Sequence, residues 1–165
     1  MANRPNRPNT DSIARLAKEI ASDKRIKVAI KSEDGKLIPQ YATKGSVGVD
    51  LKAKKRVQCP PGEVTQIGTG IYVEVPEGYE LQIRARSGLA KQGLIVANAP
   101  GTIDSDYRGE IIVLMFNLTN TVFTFEHGER IAQAVLSPVA RIEWERKKEL
   151  GDTDRGNGGF GSTGK

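Results

Sequence analysis

The stretch I-I-V-L-M-F-N-L-T-N-T-V-F-T-F-E-H-G-E-R-I-A-Q-A-V-L, residues 111–136, decides the fold class. Three apolar runs, Ile111 to Leu118, Val122 to Phe125 and Ile131 to Val139, follow one another with only Asn120 and His127-Gly128 as interruptions. Runs this short, rich in Val, Ile and Phe and bounded by turn residues, read as strands. The gaps leave no room for the crossover helices that a parallel sheet requires.

The same pattern extends in both directions. Val49 and Leu51, Val64 to Ile67, Ile71 to Val75, Tyr79 to Ala85, Leu94 to Val96 and Ile142 to Trp144 read as further short strands, punctuated by Pro60-Pro61-Gly62, Pro76-Glu77-Gly78 and Asn98 to Gly101. Ile26, Val28 and Ile30 alternate against lysines, and Asp34-Gly35 after them predicts a hairpin turn. Only Ser87 to Gln92 reads as a helical turn within this region. The fold class is therefore all-β, a sandwich, jelly roll or closed barrel.

The ends differ in character. Residues 1–10 are rich in Asn, Arg and Pro, whereas Ile13, Leu16, Ala17 and Ile20 share one helical face, with Thr10, Asp11 or Ser12 as N-cap. Residues 146–165 carry charge and glycine, with Leu150 and Phe160 as their large apolar groups. The division is an N-terminal arm with a short amphipathic helix over 1–23, a β domain over 24–145, and a flexible glycine-rich tail over 146–165.

Composition excludes several classes. The chain has 165 residues, 38% of them hydrophobic, and a formal net charge of +5 that is scattered rather than gathered in one domain. The basic run Lys52 to Arg56 has no interleaved aromatic residues, so it reads as solvated surface rather than a nucleic-acid strip. A single cysteine, Cys59, and a single histidine, His127, cannot build a zinc cluster or a histidine-based triad. With no hydrophobic leader and no long apolar run, the expected location is cytoplasmic, or inside the host cell if the source is viral.

Three clusters remain for chemistry. In A-R-S-G-L-A, residues 85–90, a strand runs into a helical turn, so Arg86, the Ser87 hydroxyl and the amides of Ser87, Gly88 and Leu89 either bind a phosphate or form an ordinary turn. In N-A-P-G-T-I-D-S-D-Y-R-G-E, residues 98–110, Asp104 and Asp106 would face the same way if extended and could hold a water or hydrated cation, with Ile103 pointing oppositely into the core. The alternative is a solvated turn. The third cluster, R-G-N-G-G-F-G-S-T-G at 155–164, holds five glycines and one aromatic residue. Ordering so much glycine needs a ligand to offset the entropy, with Arg155 on a terminal phosphate and Phe160 over an aromatic ring; otherwise the segment is a linker.

Taken in order, these clusters resemble the five motifs of the homotrimeric dUTPase family: T-K-G-S-V-G-V-D-L at 43–51, A-R-S-G-L-A at 85–90, G-T-I-D-S-D-Y-R-G-E at 101–110, G-E-R-I-A-Q at 128–133 and the 155–164 tail. The resemblance implies a jelly-roll (β-clip) subunit and a homotrimer whose sites are each shared by three chains. It implies dUTP as substrate, cleaved to dUMP and pyrophosphate, with Mg2+ as cofactor held through water by Asp50. Asp104 would activate the attacking water. Asn98, Gly101, Thr102, Ile103 and Tyr107 would line the uracil and deoxyribose pocket, with Tyr107 under the sugar. Arg86, Ser87, Gly88 and Gln133 would surround the phosphates, and Arg155, Gly159, Phe160, Gly161 and Ser162 would come from the tail, closing over the nucleotide. Ala85, Glu129 and Gly45-Ser46-Val47 depart from the family's commonest pattern. A dCTP deaminase of the same fold is the alternative, but it would need a glutamate as proton shuttle in the base pocket and would normally lack the glycine-rich tail.

Overall fold

The structure, a computed structural model, describes residues 25–159. The helix expected over 11–23, and Phe160, Gly161 and Ser162, lie outside the described residues. Within them the strands are β1 (Ala29–Ser32), β2 (Val49–Lys52), β3 (Val57–Cys59), β4 (Val64–Gly68), β5 (Ile71–Glu74), β6 (Tyr79–Arg84), β7 (Leu94–Val96), β8 (Gly101–Ile103), β9 (Ile112–Asn117), β10 (Phe123–Phe125) and β11 (Arg130–Pro138), with one short helix, α1 (Ser87–Lys91). They pair antiparallel in four small sheets ordered β1-β5, β10-β3, β2-β11-β6-β8 and β4-β9-β7. No helix among the described residues is long and apolar enough to cross a membrane.

Period-two burial explains the packing. In β9, Val113, Met115 and Asn117 are buried while Ile112 between the sheets' edges is exposed. Leu51, Ile67, Ile71, Ile83, Leu94, Phe125 and Ile131 from neighbouring sheets meet these side chains in one core. A β-bulge interrupts β11 against β2: Arg130 pairs with Lys52 and Ala132 with Leu51, leaving Ile131 as the extra residue.

Four local expectations need correction. Asp34-Gly35 forms no hairpin: Asp34 instead caps a 3-10 turn over Gly35–Leu37, accepting the Lys36 N–H at 2.9 Å, because β1 pairs with β5 and buried Leu37 pulls the following chain inward. Val57–Cys59 is a strand that its basic neighbours conceal, and it pairs with β10. Gly101–Ile103 is likewise a strand, whereas Asp104 and Asp106 lie in a turn closed by the Tyr107 N–H on the Asp104 carbonyl at 3.2 Å, so the strand geometry that would align their carboxylates is absent. Ile142–Trp144 forms no strand, and Ile142 and Trp144 stand 72% and 86% exposed, since nothing among the described residues pairs with them.

Asn117 is the polar fastening of this core. Fully buried at the end of β9, it donates through Nδ2 to the carbonyls of Cys59 and Thr121, both at 2.8 Å, and its Oδ1 accepts from the Thr119 amide and hydroxyl at 2.9 and 2.8 Å. Replacing it with alanine removes all four bonds at once and strands the buried Cys59 carbonyl. Asn117→Ala is expected to cost about 2–4 kcal/mol, read as a lower midpoint in urea denaturation; a shift below about 0.5 kcal/mol would contradict this role.

Candidate active site

The sheet β2-β11-β6-β8 carries Asp50, Gln133, Gly101, Thr102 and Ile103, and Arg86, Ser87 and Gly88 follow directly on the end of β6. Asp50 on β2 lies level with Gln133 on β11, and Gln133 lies level with Arg84 on β6, so three adjacent strands present one row. Just past this row β6 ends. The Gln133 Nε2 donates to the Ala85 carbonyl at 2.9 Å and fixes the path by which the chain leaves the sheet. Arg86 follows with extended backbone as the N-cap residue of α1 and turns its guanidinium back onto Asp50, Nε to Oδ1 at 2.8 Å.

Arg130 joins this cluster and was missed by sequence reasoning. Its Nη1 approaches Asp50 Oδ2 at 3.4 Å, and its carbonyl accepts from Arg86 Nη1 at 3.3 Å. Residues 130 and 133 would point to opposite faces of a regular strand. The bulge at Ile131 inserts one residue between them, so both project on the face of Asp50 and Lys52. Nothing in G-E-R-I-A-Q announces a bulge, although two consecutive apolar residues before Gln133 are a faint trace of it. Gly48 is a second omission: a Cβ there would come within 2.6 Å of Gln133 Oε1, so the glycine leaves Gln133 its place.

The cluster is cationic. Arg86 and Arg130 flank one carboxylate, and the Ser87 and Gly88 amides at the start of α1 donate to no backbone carbonyl among the described residues. Side chains of Arg86 and Asp50 remain about a quarter exposed, so the pair is structured yet open to a ligand. Such a surface suits a polyanion.

A second cluster lies elsewhere on the sheet. Gly101, Thr102 and Ile103 form β8, pairing with Ile83, Gln82 and Leu81. Ile103 packs on the core, as expected. Asn98 lies beside Gly101, where a Cβ would sit 3.0 Å from its Nδ2. The exposed carboxylate of Asp104 meets no side chain among the described residues, which leaves its oxygens available to water. Tyr107 bends over Gly109 and donates its hydroxyl to the Glu110 carbonyl at 2.9 Å.

The two clusters do not meet within one chain. Pairing of Ile103 with Leu81 puts Asp104 level with Glu80, whereas Arg86 lies beyond the opposite end of β6. The Arg86 guanidinium returns to Asp50 on β2, so the two clusters are parted chiefly across the sheet, from edge strand β2 to edge strand β8, about 14 Å over three strand spacings. The tail is a third, separate element: Arg155 Nε donates to Gly158 at 2.9 Å, and Gly159 beyond it is exposed.

Donor chemistry bears on a metal. No group of three or more His, Cys, Asp or Glu residues able to hold an ion exists among the described residues. A lone carboxylate does fit Mg2+ held through water, because that ion keeps several waters and commonly takes one or two carboxylates plus substrate phosphates. Asp50 is the carboxylate to which the motif resemblance gives that role, and here its oxygens face Arg86 and Arg130.

Comparison with known proteins gives the same picture. The dUTPase family profile matches residues 34–164. The deoxyuridine 5'-triphosphate nucleotidohydrolase of Nautilia profundicola is 57% identical over 130 residues, covering 78% of this chain and 92% of that protein. That of Treponema denticola is 49% identical over 142 residues, covering 84% and 99%. Among solved structures, the Staphylococcus bacteriophage 80alpha dUTPase with dUPNHPP superposes with a TM-score of 0.76 at 26% identity, covering 84% of this chain and 98% of that one. The Streptococcus mutans dUTPase does so with a TM-score of 0.66 at 30% identity, covering 71% and 98%. These likenesses span the strand-bearing body and identify its architecture as the jelly roll of those enzymes. The chain belongs to the dUTPase family.

Proposed function

We propose that this protein hydrolyses dUTP to dUMP and pyrophosphate in a homotrimer, each site combining the Asp104 loop of one chain, the Asp50–Arg86–Gln133 cluster of a second and the tail of a third. The observation that supports the shared site is that Asp50, with the Arg86 guanidinium on it, and β8, which leads to Asp104, lie on opposite edges of the four-stranded sheet. A triphosphate attacked at its α-phosphorus needs the base and the cationic groups within a few ångströms of one another, which one chain does not supply.

In this reading Asn98 and nearby backbone take the edge of the uracil, and Tyr107 supports the deoxyribose. Arg86, Arg130 and the Ser87 and Gly88 amides of the neighbouring chain spread the phosphate charge. Asp50 would hold Mg2+ through water, and the ion when bound supplies further neutralisation of the triphosphate. Asp104 accepts a proton from the attacking water as its oxygen bonds to the α-phosphorus. The bond from that phosphorus to the bridging oxygen breaks and pyrophosphate leaves with the electron pair, so no covalent enzyme intermediate arises. Arg155 meets the γ-phosphate and Phe160 covers the uracil when the tail closes.

Two tests follow from these roles. Asp104→Asn is expected to lower kcat by about 10²–10⁴ with little change in KM or melting temperature, since the carboxylate is exposed and makes no fold contact. Near-full kcat in this variant would remove Asp104 from the role of base. Deleting residues 151–165 is expected to leave thermal stability intact and to lower kcat/KM by about 10²-fold or more through lost phosphate contacts. If the truncated enzyme works at the full-length rate, the tail is only a linker.

A further inference from the structure

Glu110 ends the loop from β8 to β9 that carries Asp104 and Tyr107, and its carboxylate is held more firmly than those of Asp104 and Asp106 in that loop. Oε1 accepts the Gly70 N–H at 2.8 Å, and Oε2 accepts Lys54 Nζ at 2.8 Å, with the Glu110 side chain only 17% exposed. Gly70 adopts a left-handed φ of +66°, which a side chain rarely tolerates and which belongs to the turn presenting that amide. Gly68 clears the space: a Cβ there would lie 2.6 Å from Glu110 Oε1 and 2.8 Å from Lys54 Cε. The adjoining backbone is stitched down as well, the Ile111 amide donating to Ile71 at 2.8 Å and buried Thr69 donating its hydroxyl to Ile111 at 2.7 Å.

Lys54 is anchored in turn. Its ammonium also reaches Glu33 Oε1 at 3.4 Å, and that oxygen accepts the Tyr72 hydroxyl at 2.9 Å. The bond from Glu110 raises the Lys54 pKa above the ordinary ammonium range, so the charge persists at any working pH. The run Lys52 to Arg56 is thus more than solvated surface at its middle lysine. Lys54 touches none of the proposed substrate contacts. What it holds is the residue whose carbonyl receives the Tyr107 hydroxyl.

We infer that Lys54, acting through Glu110, is a positioning residue for Tyr107 and helps to set discrimination between deoxyribose and ribose nucleotides. This rests on the proposed reading that Tyr107 packs beneath the sugar. Without Lys54 the Glu110 carboxylate keeps only the Gly70 amide, which loosens the residue whose carbonyl fixes the phenol, and a displacement of about 1 Å at such a platform is enough to change relative rates strongly.

The test is the ratio of kcat/KM for dUTP over UTP, with melting temperature measured alongside, in Lys54→Met, Tyr107→Ala and the double variant. Lys54→Met is expected to lower the ratio about 10-fold, Tyr107→Ala to lower it further, and the double variant to match Tyr107→Ala alone, because the lysine acts only through the tyrosine. Gly68→Ala keeps every charge but crowds Glu110 and Lys54, so it is expected to lower the ratio as well and decides the matter if Lys54→Met does not fold. An unchanged ratio in Lys54→Met and Gly68→Ala, with Tyr107→Ala lowering it, overturns the inference and leaves the sugar platform standing. So does an equal loss from Lys54→Met with and without Tyr107. If Tyr107→Ala itself leaves the ratio unchanged, the sugar-platform reading fails and this inference with it.

Discussion

Strand β6 is hydrogen-bonded along both edges, to β11 on one side and to β8 on the other, and this double pairing fixes where the chemistry sits. A strand held on both sides cannot bend to bring its ends together. The guanidinium that follows one end and the carboxylate that lies level with the other therefore stay far apart in each chain. In the proposed trimer a second copy encloses the nucleotide between them, which would make subunit association part of the active site rather than an accessory to stability.

At the phosphate end, order comes from a few polar contacts that are all mutually dependent. Gln133 ties down the carbonyl before Arg86, the bulge at Ile131 brings Arg130 to the same face, and Asp50 takes both guanidiniums. A carboxylate between two arginines holds them apart and aimed until an anion of higher charge arrives. At the base end the opposite holds, since Asp104 is exposed and unengaged by side chains among the described residues. That suits the proposed role, since a group taking a proton from water is better left without a competing cation.

Much of this was legible in the sequence, because the relevant signals are local. Alternation in β9, the glycine and proline turns, and the helical turn after Arg86 follow from neighbouring residues alone. What escaped depends on pairing at a distance. Val57–Cys59 is a strand because β10 lies beside it, Asp34-Gly35 is not a hairpin because β1 pairs with β5, and Ile142–Trp144 keeps an alternating pattern with no partner among the described residues. Arg130 was missed for the same reason, its direction being set by a bulge that exists only against β2. The motif resemblance implied the site residues, whereas the placing of Asp50 and of the strand leading to Asp104 on opposite edges of one sheet comes from the strand order, which no local signal carries.

The claim of a shared site is tested most directly by mixing two crippled chains. Asp104→Asn and Arg86→Ala proteins, each close to inactive alone, would be unfolded, combined in equal amounts, refolded and assayed with dUTP and Mg2+. If Asp104 and Arg86 of one site come from different chains, random mixed trimers contain intact sites, and activity returns to about a quarter of the wild-type level. If both residues of each site come from the same chain, every site keeps one lesion and mixing restores nothing, which would contradict the account.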